Sequence, residues 1–271
     1  MHLEIGTFKE LFKTIIYHRQ LIWELTRRDF SDRYVGQVLG TIWAVINPLL
    51  FVFIYIFIFA FVFKVNINLK GGQFDYPVYI LAGLIPWLQM IEAMAKSVSS
   101  ITSNGELVKQ VIFPIELLPI KSVLTSFITQ IILIGMVIIY IILKYGVISS
   151  MYWDIPVLFM FELLAMIGIG FLLSAIAVFF RDMKDIITAF SMIGIYIMPV
   201  LYLPDMVPQN LRVFLYLNPF SYLIWCFQDV FYFGSFAHPF AWLVFIIGSV
   251  VIFLLGFRIF TLLRGFFGNV L

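Results

Sequence analysis

Charge is scarce in this sequence. Asp, Glu, Lys and Arg make up only 12% of its 271 residues, about half of what a water-soluble domain carries, while 63% are hydrophobic. So little polar surface cannot cover a soluble fold of this length, so lipid must be the solvent over most of the chain. The net charge of +2 excludes the strong basic field that binds nucleic acid. A single cysteine, Cys226, excludes an intramolecular disulfide. The histidines, His2, His18 and His238, lie far apart and match no carboxylate or cysteine spacing of a metal site, so neither metal nor cofactor is expected on the chain. No G-x-x-x-x-G-K-[ST] run is present. Energy for any driven process must therefore come from another chain. Residues 1–34 mix acidic and basic side chains without a long apolar run, which is not the pattern of a signal peptide.

Apolar stretches are abundant. A helix needs about 20 mainly apolar residues to cross a hydrocarbon core of about 30 Å. Six segments qualify: Val35–Phe63, Pro77–Ser99, Ile115–Leu143, Ile155–Phe180, Ile186–Leu203 and Phe240–Leu263. Leu211–Phe233 is apolar enough to imitate a seventh. Asn218-Pro219 divides it, and the longer piece would rise only about 22 Å as a helix. Proline lacks an amide hydrogen and disfavours the helical conformation of its predecessor. The expectation is two short helices that dip into the membrane and return, which persists only where protein or a hydrated cavity covers the broken backbone. The predicted fold is an all-α polytopic membrane protein with six spans in residues 35–271, preceded by an amphipathic segment, 1–34.

Basic residues orient it. With a cytoplasmic N-terminus and six spans, Lys9, Lys13, Arg19, Arg27, Arg28, Arg33, Lys96, Lys109, Lys121, Arg181, Lys184, Arg258 and Arg264 fall inside, and Lys64, Lys70, Lys144 and Arg212 outside. This is the positive-inside bias, and it puts both termini in the cytoplasm. A seventh span would move Arg258 and Arg264 outside and weaken it.

Several groups are candidates for function. Arg27, Arg28 and Arg33 cluster before the first span. Guanidinium groups hold phosphate bidentately, but interfacial anchoring with pairing to Asp29 and Asp32 is the plainer account. In the loop 101–115, Asn104-Gly105 marks a turn. A short amphipathic helix after it would set Leu107, Val108 and Val111 against Glu106, Lys109 and Gln110, and its apolar side needs either a partner or the membrane surface. Arg181, Asp182, Lys184 and Asp185 form a tight turn with local ion pairs. Glu162 lies within the fourth span, where an ionised group costs at least about 2.5 kcal/mol without a partner or cavity. Glu92 and Lys96 stand one helical turn apart and should pair. Aromatics make up 18% of the chain. In Phe51–Phe63 they fall on two faces, with Tyr55 and Phe59 on one, and either sugar or lipid suits them. Trp43 and Tyr55 carry polar tips that want a partner.

The order of these signals is more specific than any one of them. "RRDFSDRYVGQVLGTIWAVINP", "YPVYILAGLIPW", "NGELVKQVIFPIELLP", "FLLSAIAVFFRDMKDI" and "MPVLYLPDMVPQNLRVFLYLNPFSYLI" together resemble the membrane subunits of type 2 ATP-binding-cassette polysaccharide exporters, across about residues 20–235. The resemblance implies a non-catalytic permease in the bacterial inner membrane, moving lipid-linked O-antigen, capsule or teichoic acid. It implies a two-plus-two assembly of permeases with ATPase chains that bind ATP and Mg. By the same resemblance Glu106, Leu107, Val108, Lys109, Val111 and Phe113 contact the ATPase. The turn around Leu39 and Gly40 resembles the lipid-headgroup entry region, and Arg27, Arg28 and Arg33 before it are the expected phosphate contacts. Trp43, Tyr55, Phe59, Glu162 and Tyr196 are channel candidates, and Pro204, Asn218 and Pro219 belong to an outer gate over residues 204–240. An exporter of small molecules, or a membrane glycosyltransferase or polymerase, is the alternative.

Overall fold

The computed structural model describes residues 2–63, 74–109 and 113–270, and every regular element among them is helical. The N-terminal segment forms α1 (His2–Tyr17) and α2 (Arg19–Asp32), broken at His18. Then come α3 (Trp43–Ile56), α4 (Tyr76–Ser100), the single turn α5 (Gly105–Val108) and α6 (Leu117–Tyr145). The second half holds α7 (Ile155–Phe179), α8 (Met183–Ile197), α9 (Gln209–Leu217), α10 (Pro219–Gln228), α11 (Pro239–Leu263) and α12 (Phe267–Val270). Pro77, Pro156, Pro219 and Pro239 open α4, α7, α10 and α11, where the first turn has no use for the missing amide hydrogen. Gly146, with φ at 66°, closes α6 in the left-handed conformation.

Among the described residues five helical stretches are long and apolar enough to cross a membrane: Gly40–Val62, Tyr76–Ser100, Leu117–Tyr145, Ser150–Phe179 and Pro239–Phe266. The segment expected as a span over 186–203 differs. Its helix, α8, has 15 residues and stops at Met198, which is extended with ψ at 147°. The cause is Pro199, which drives the preceding residue out of the helical region.

The chain runs on from there without helix, through turn and bend at 199–202, and side chains meet its carbonyls. Gln228 Nε2 donates to the Pro199 oxygen at 3.0 Å, Tyr76 Oη to Leu201 at 2.5 Å and Tyr79 Oη to Tyr202 at 3.1 Å. The Tyr202 hydroxyl in turn donates to the Ile197 carbonyl at 2.9 Å, occupying an acceptor left open where α8 ends. An unwound stretch at this position is tolerable because its backbone groups find partners within the protein.

Helix α4 is the axis of the bundle. In its most apolar window 83% of residues are buried, against 11% for the first candidate span. α6, α7, α8 and α10 surround it. α7 and α11 cross tightly at Gly168 and Gly256, and a β-carbon on Gly256 would collide with the Gly168 carbonyl. Small residues permit this approach, and in lipid, where burial of apolar surface drives little, such packing is what joins helices. At the end of the bundle near α5 a second core gathers Ile101, Leu117, Phe171, Phe257 and Phe260 with Leu11 and Ile22 of the N-terminal helices.

Helices α9 and α10 break at Asn218-Pro219, as the sequence predicts. Asn218 caps α10 by accepting from the Phe220 amide at 3.1 Å, and its Nδ2 lies 2.9 Å from Met198 Sδ. The Phe220 ring packs 5.5 Å from Trp87, in the middle of α4, while Tyr232 packs 5.2 Å from Tyr79, near its start. α10 therefore runs antiparallel to α4 from mid-length back to one end, which sets the α9–α10 break at the middle of the bundle. Gly234, with φ at 62°, caps the π-helical turn Asp229–Phe233 that continues α10.

Candidate transport sites

The N-terminal helices are amphipathic in three dimensions. Leu11, Ile22 and Thr26 are buried against the bundle, while Phe12, Ile16 and Trp23 are exposed. A helix with one face on protein and an apolar fringe outside it suits a membrane surface. α2 is fastened by charge. Arg33 meets Glu92 at 2.6 Å, Glu92 meets Lys96 at 2.9 Å, and Asp29 pairs with Lys121 at 3.2 Å and receives Thr125 Oγ1 at 3.4 Å. The expected Glu92–Lys96 pair is thus present, with Arg33 as a third member. Arg28 pairs with Asp32 at 3.6 Å on the exposed side, and Arg27 is exposed. Asp29, expected to pair within the arginine cluster, turns instead to α6. Leu39 is exposed, and Gly40 takes φ at 53°, a conformation glycine adopts without steric cost.

The loop after α4 is shorter in helix than the pattern predicts: α5 is one turn. Val108 is buried and Leu107 half-buried, while Glu106 and Lys109 are exposed. The expected two-sidedness holds for these four. Phe113 is half-buried and packs on the second core. Val111 and Gln110 lie outside the described residues. A polar cavity of about 530 Å³ separates α2 from this loop, walled by Arg28, Asp29, Lys96, Ser99, Ser103 and Lys121. Arg181 and Asp182, in the turn before α8, and Lys184 and Asp185, in its first turn, are all exposed, and among the described residues no ion pair joins them. In solvent such pairs are weak.

The channel candidates do not converge within one chain. Tyr55 and Phe59 stack at 6.1 Å on the half-buried face of the first span, and Phe59 meets Tyr76 at 5.7 Å. Phe53, Phe57 and Phe61 form the exposed stripe beside them. Trp43 is half-buried at the start of α3. Tyr196 is 71% exposed at the end of α8. Glu162 is fully buried between α7 and α6, where Gln130 Nε2 donates to Oε2 at 2.7 Å; Oε1 has no partner.

Two polar clusters escaped sequence reading. Asp229, fully buried, accepts from the His238 amide at 3.0 Å and from Trp242 Nε1 at 3.0 Å, and its Oδ1 lies 2.7 Å from His238 Nδ1. The His238 ring stacks on Trp225, with centroids 5.6 Å apart. Sequence spacing leaves His238 without a carboxylate, and the structure corrects this, because the chain leaves the π-helical stretch Asp229–Phe233 at left-handed Gly234 and the non-helical residues after it bring His238 back to Asp229. Among the described residues no cluster of three or more His, Cys, Asp or Glu is found. The available signal was a lone acid in an apolar run. The second cluster joins Asp75, before α4, to Lys144 and Tyr140 of α6, with Tyr140 Oη donating at 3.2 Å. Pro204 is half-buried in a turn before α9, and Arg212 of α9 donates back to the Val207 and Asp205 carbonyls at 2.9 and 3.0 Å.

A helical bundle with five membrane-length helices, exposed apolar faces and charge gathered at its ends is a multi-pass membrane protein. Residues 20–232 match the ABC-2 type transporter family. The chain belongs to that family, so its role is transport rather than covalent chemistry. It is similar to an O-antigen export system permease protein RfbA of Klebsiella pneumoniae, 28% identical over 257 residues covering 94% of this chain and 96% of that one. A relative of the same name in Myxococcus xanthus is 26% identical over 227 residues, 82% and 84% of the two chains.

Proposed function

We propose that this chain is the permease subunit of an ATP-driven exporter that moves lipid-linked polysaccharide across the bacterial inner membrane. The observation that carries the reading is the end-to-end similarity to O-antigen export permeases. In this reading α8 and the non-helical strip after it together complete a sixth crossing, and α9–α10 form a re-entrant outer gate hinged at Asn218-Pro219. Both termini are cytoplasmic. Two copies pair with two ATP-binding-cassette chains that bind ATP and Mg, while this chain holds no cofactor. The scarcely buried first span and the exposed side of α8, including Met192, Ile193 and Tyr196, are apolar surfaces without a partner in one chain, and a two-fold interface would use them. Trp43, Tyr55, Phe59 and Tyr196 would then border a shared path.

The loop with Glu106, Leu107, Val108, Lys109 and Phe113 receives the ATPase. Its buried Val108 seats the turn on the bundle, and the salt bridges of α2 tie the same end to α4 and α6. Motion of the ATPase at this end is thereby delivered to the central helix. Arg27, Arg28 and Arg33, with Leu39 and Gly40, take the phosphate of the lipid carrier. The Arg33–Glu92–Lys96 group holds two cations against one carboxylate, so a positive charge is left for an anion. The test is co-reconstitution with the ATPase chain in liposomes. Lipid-linked glycan should stimulate ATP hydrolysis and accumulate inside inverted vesicles, and a glycan-blind ATPase would overturn the reading.

A further inference from the structure

We propose that a cleft between α7, α11 and the tip of the α9–α10 hairpin binds one aliphatic chain of a membrane lipid. The cavity measures about 350 Å³ and is walled by Met90 and Met94 of α4, Ile169 of α7, Val244 and Gly248 of α11, and Phe220 at the hairpin tip. An apolar cavity of about 150 Å³ already stays dry and accepts benzene. Ser249 is the wall's one hydroxyl, and it donates to the Phe245 carbonyl at 2.7 Å. No side chain of the wall has a free hydrogen-bond donor, and the Ser249 oxygen is its one hydroxyl acceptor. A sugar, a headgroup or water placed here would lose its partners, a cost of several kcal/mol for each polar group in an apolar medium. Hydrocarbon loses nothing.

Position supports the same occupant. The lining residues come from the middle of α4, α7 and α11, at the depth of acyl chains rather than headgroups. Gly248 opens the wall on the bilayer side: it is exposed, and nothing lies within 4 Å of where its β-carbon would be. Two methionines give the opposite wall an adaptable surface. The hairpin shapes the cleft, because Pro219 and Phe220 enter between helices that Gly168 and Gly256 draw together further along. A chain seated here touches Phe220, whose ring also packs 5.5 Å from Trp87 and 5.8 Å from Phe190 of α8. The occupant therefore bears on the hairpin hinge and on α8 at once.

The proposal rests on the membrane reading of these helices and not on the identity of the cargo, so its test needs no transport. The full chain is placed in nanodiscs carrying either a phospholipid with a photoreactive diazirine near one acyl terminus or a polyprenyl phosphate bearing the same group, and labelled peptides are mapped. Labelling of Met90, Met94 and Val244 should exceed that of Leu255, which is exposed on α11, at least fivefold. Gly248→Phe should remove the excess and leave Leu255 unchanged; Gly248→Leu serves if the phenylalanine variant misfolds. Excess labelling in the phospholipid arm alone assigns the cleft to bulk lipid, in the polyprenyl arm alone to a carrier chain, and in both to any aliphatic chain. Cleft labelling no greater than that of Leu255 in both arms, or an excess that survives filling of Gly248, overturns the proposal.

Discussion

Arg33, at the C-terminal end of α2, sets its guanidinium 2.6 Å from the Glu92 carboxylate on the central helix. Both side chains are about 70% covered, so the pair is less screened than a surface bridge. It joins the N-terminal segment to the one helix that touches most of the bundle.

A double-mutant cycle with Arg33→Ala and Glu92→Gln should return a coupling of about 1–2 kcal/mol in stability. If Arg33 also holds lipid phosphate, Arg33→Lys should lower export although the charge is kept, because the planar fork is lost. Normal glycan export by Arg33→Lys would confine this arginine to the clasp with Glu92.

The loop after α4 can be tested without disturbing its seat. Val108 is buried, so an aspartate there would unseat the turn for structural reasons alone. Leu107→Asp and Lys109→Glu alter less buried positions. Each should uncouple glycan-stimulated ATP hydrolysis while the permease still inserts and pulls down at normal abundance. Full coupling in both variants would remove this loop from the ATPase contact.

Asp229 concentrates three donors on one buried carboxylate. Asp229→Ala leaves the His238 amide, the His238 ring and the Trp242 indole without that partner, at about 1–3 kcal/mol for each buried group left unpaired. The variant should melt several degrees lower in detergent and expose the Gly234–His238 stretch to protease. His238→Ala, which keeps the backbone and Trp242 donors, should cost less than half as much. Equal losses in the two variants would mean that the ring, rather than the carboxylate, organises this corner.

Topology has a direct reporter. Cys226 is fully buried, so the natural chain should give little background with a membrane-impermeant thiol reagent. A cysteine at exposed Gln209 should label from the outer face of intact cells, and one at exposed Arg258→Cys only after permeabilisation. Labelling of Gln209→Cys from the cytoplasmic side alone would discard the outer gate.

How far the sequence carries depends on the range of each interaction. Five of the six expected span positions, the Asn218-Pro219 break, the Glu92–Lys96 pair and the two sides of the loop at Leu107 and Val108 were legible because each rests on local spacing or apolar run length. The end of α8 at Met198 was within reach too, since Pro199 stands next to it. The apolar run to Leu203 masked that signal, as hydropathy does not distinguish a helix from irregular backbone.

The sequence by itself determined that this chain is helical, membrane-embedded and without metal or nucleotide motifs, because composition and run length decide the solvent and lipid permits few backbone solutions. Only the tertiary structure decided that α4 is the buried axis, that Tyr76, Tyr79 and Gln228 hold the unwound strip, and that Asp229 meets His238 and Trp242. It also turned Asp29 from its neighbouring arginines to Lys121. Each of these choices joins groups on different elements or across a reversal of the chain. The folded chain selects among many chemically equivalent partners there by which backbones approach closely, as Gly168 and Gly256 allow α7 and α11 to do.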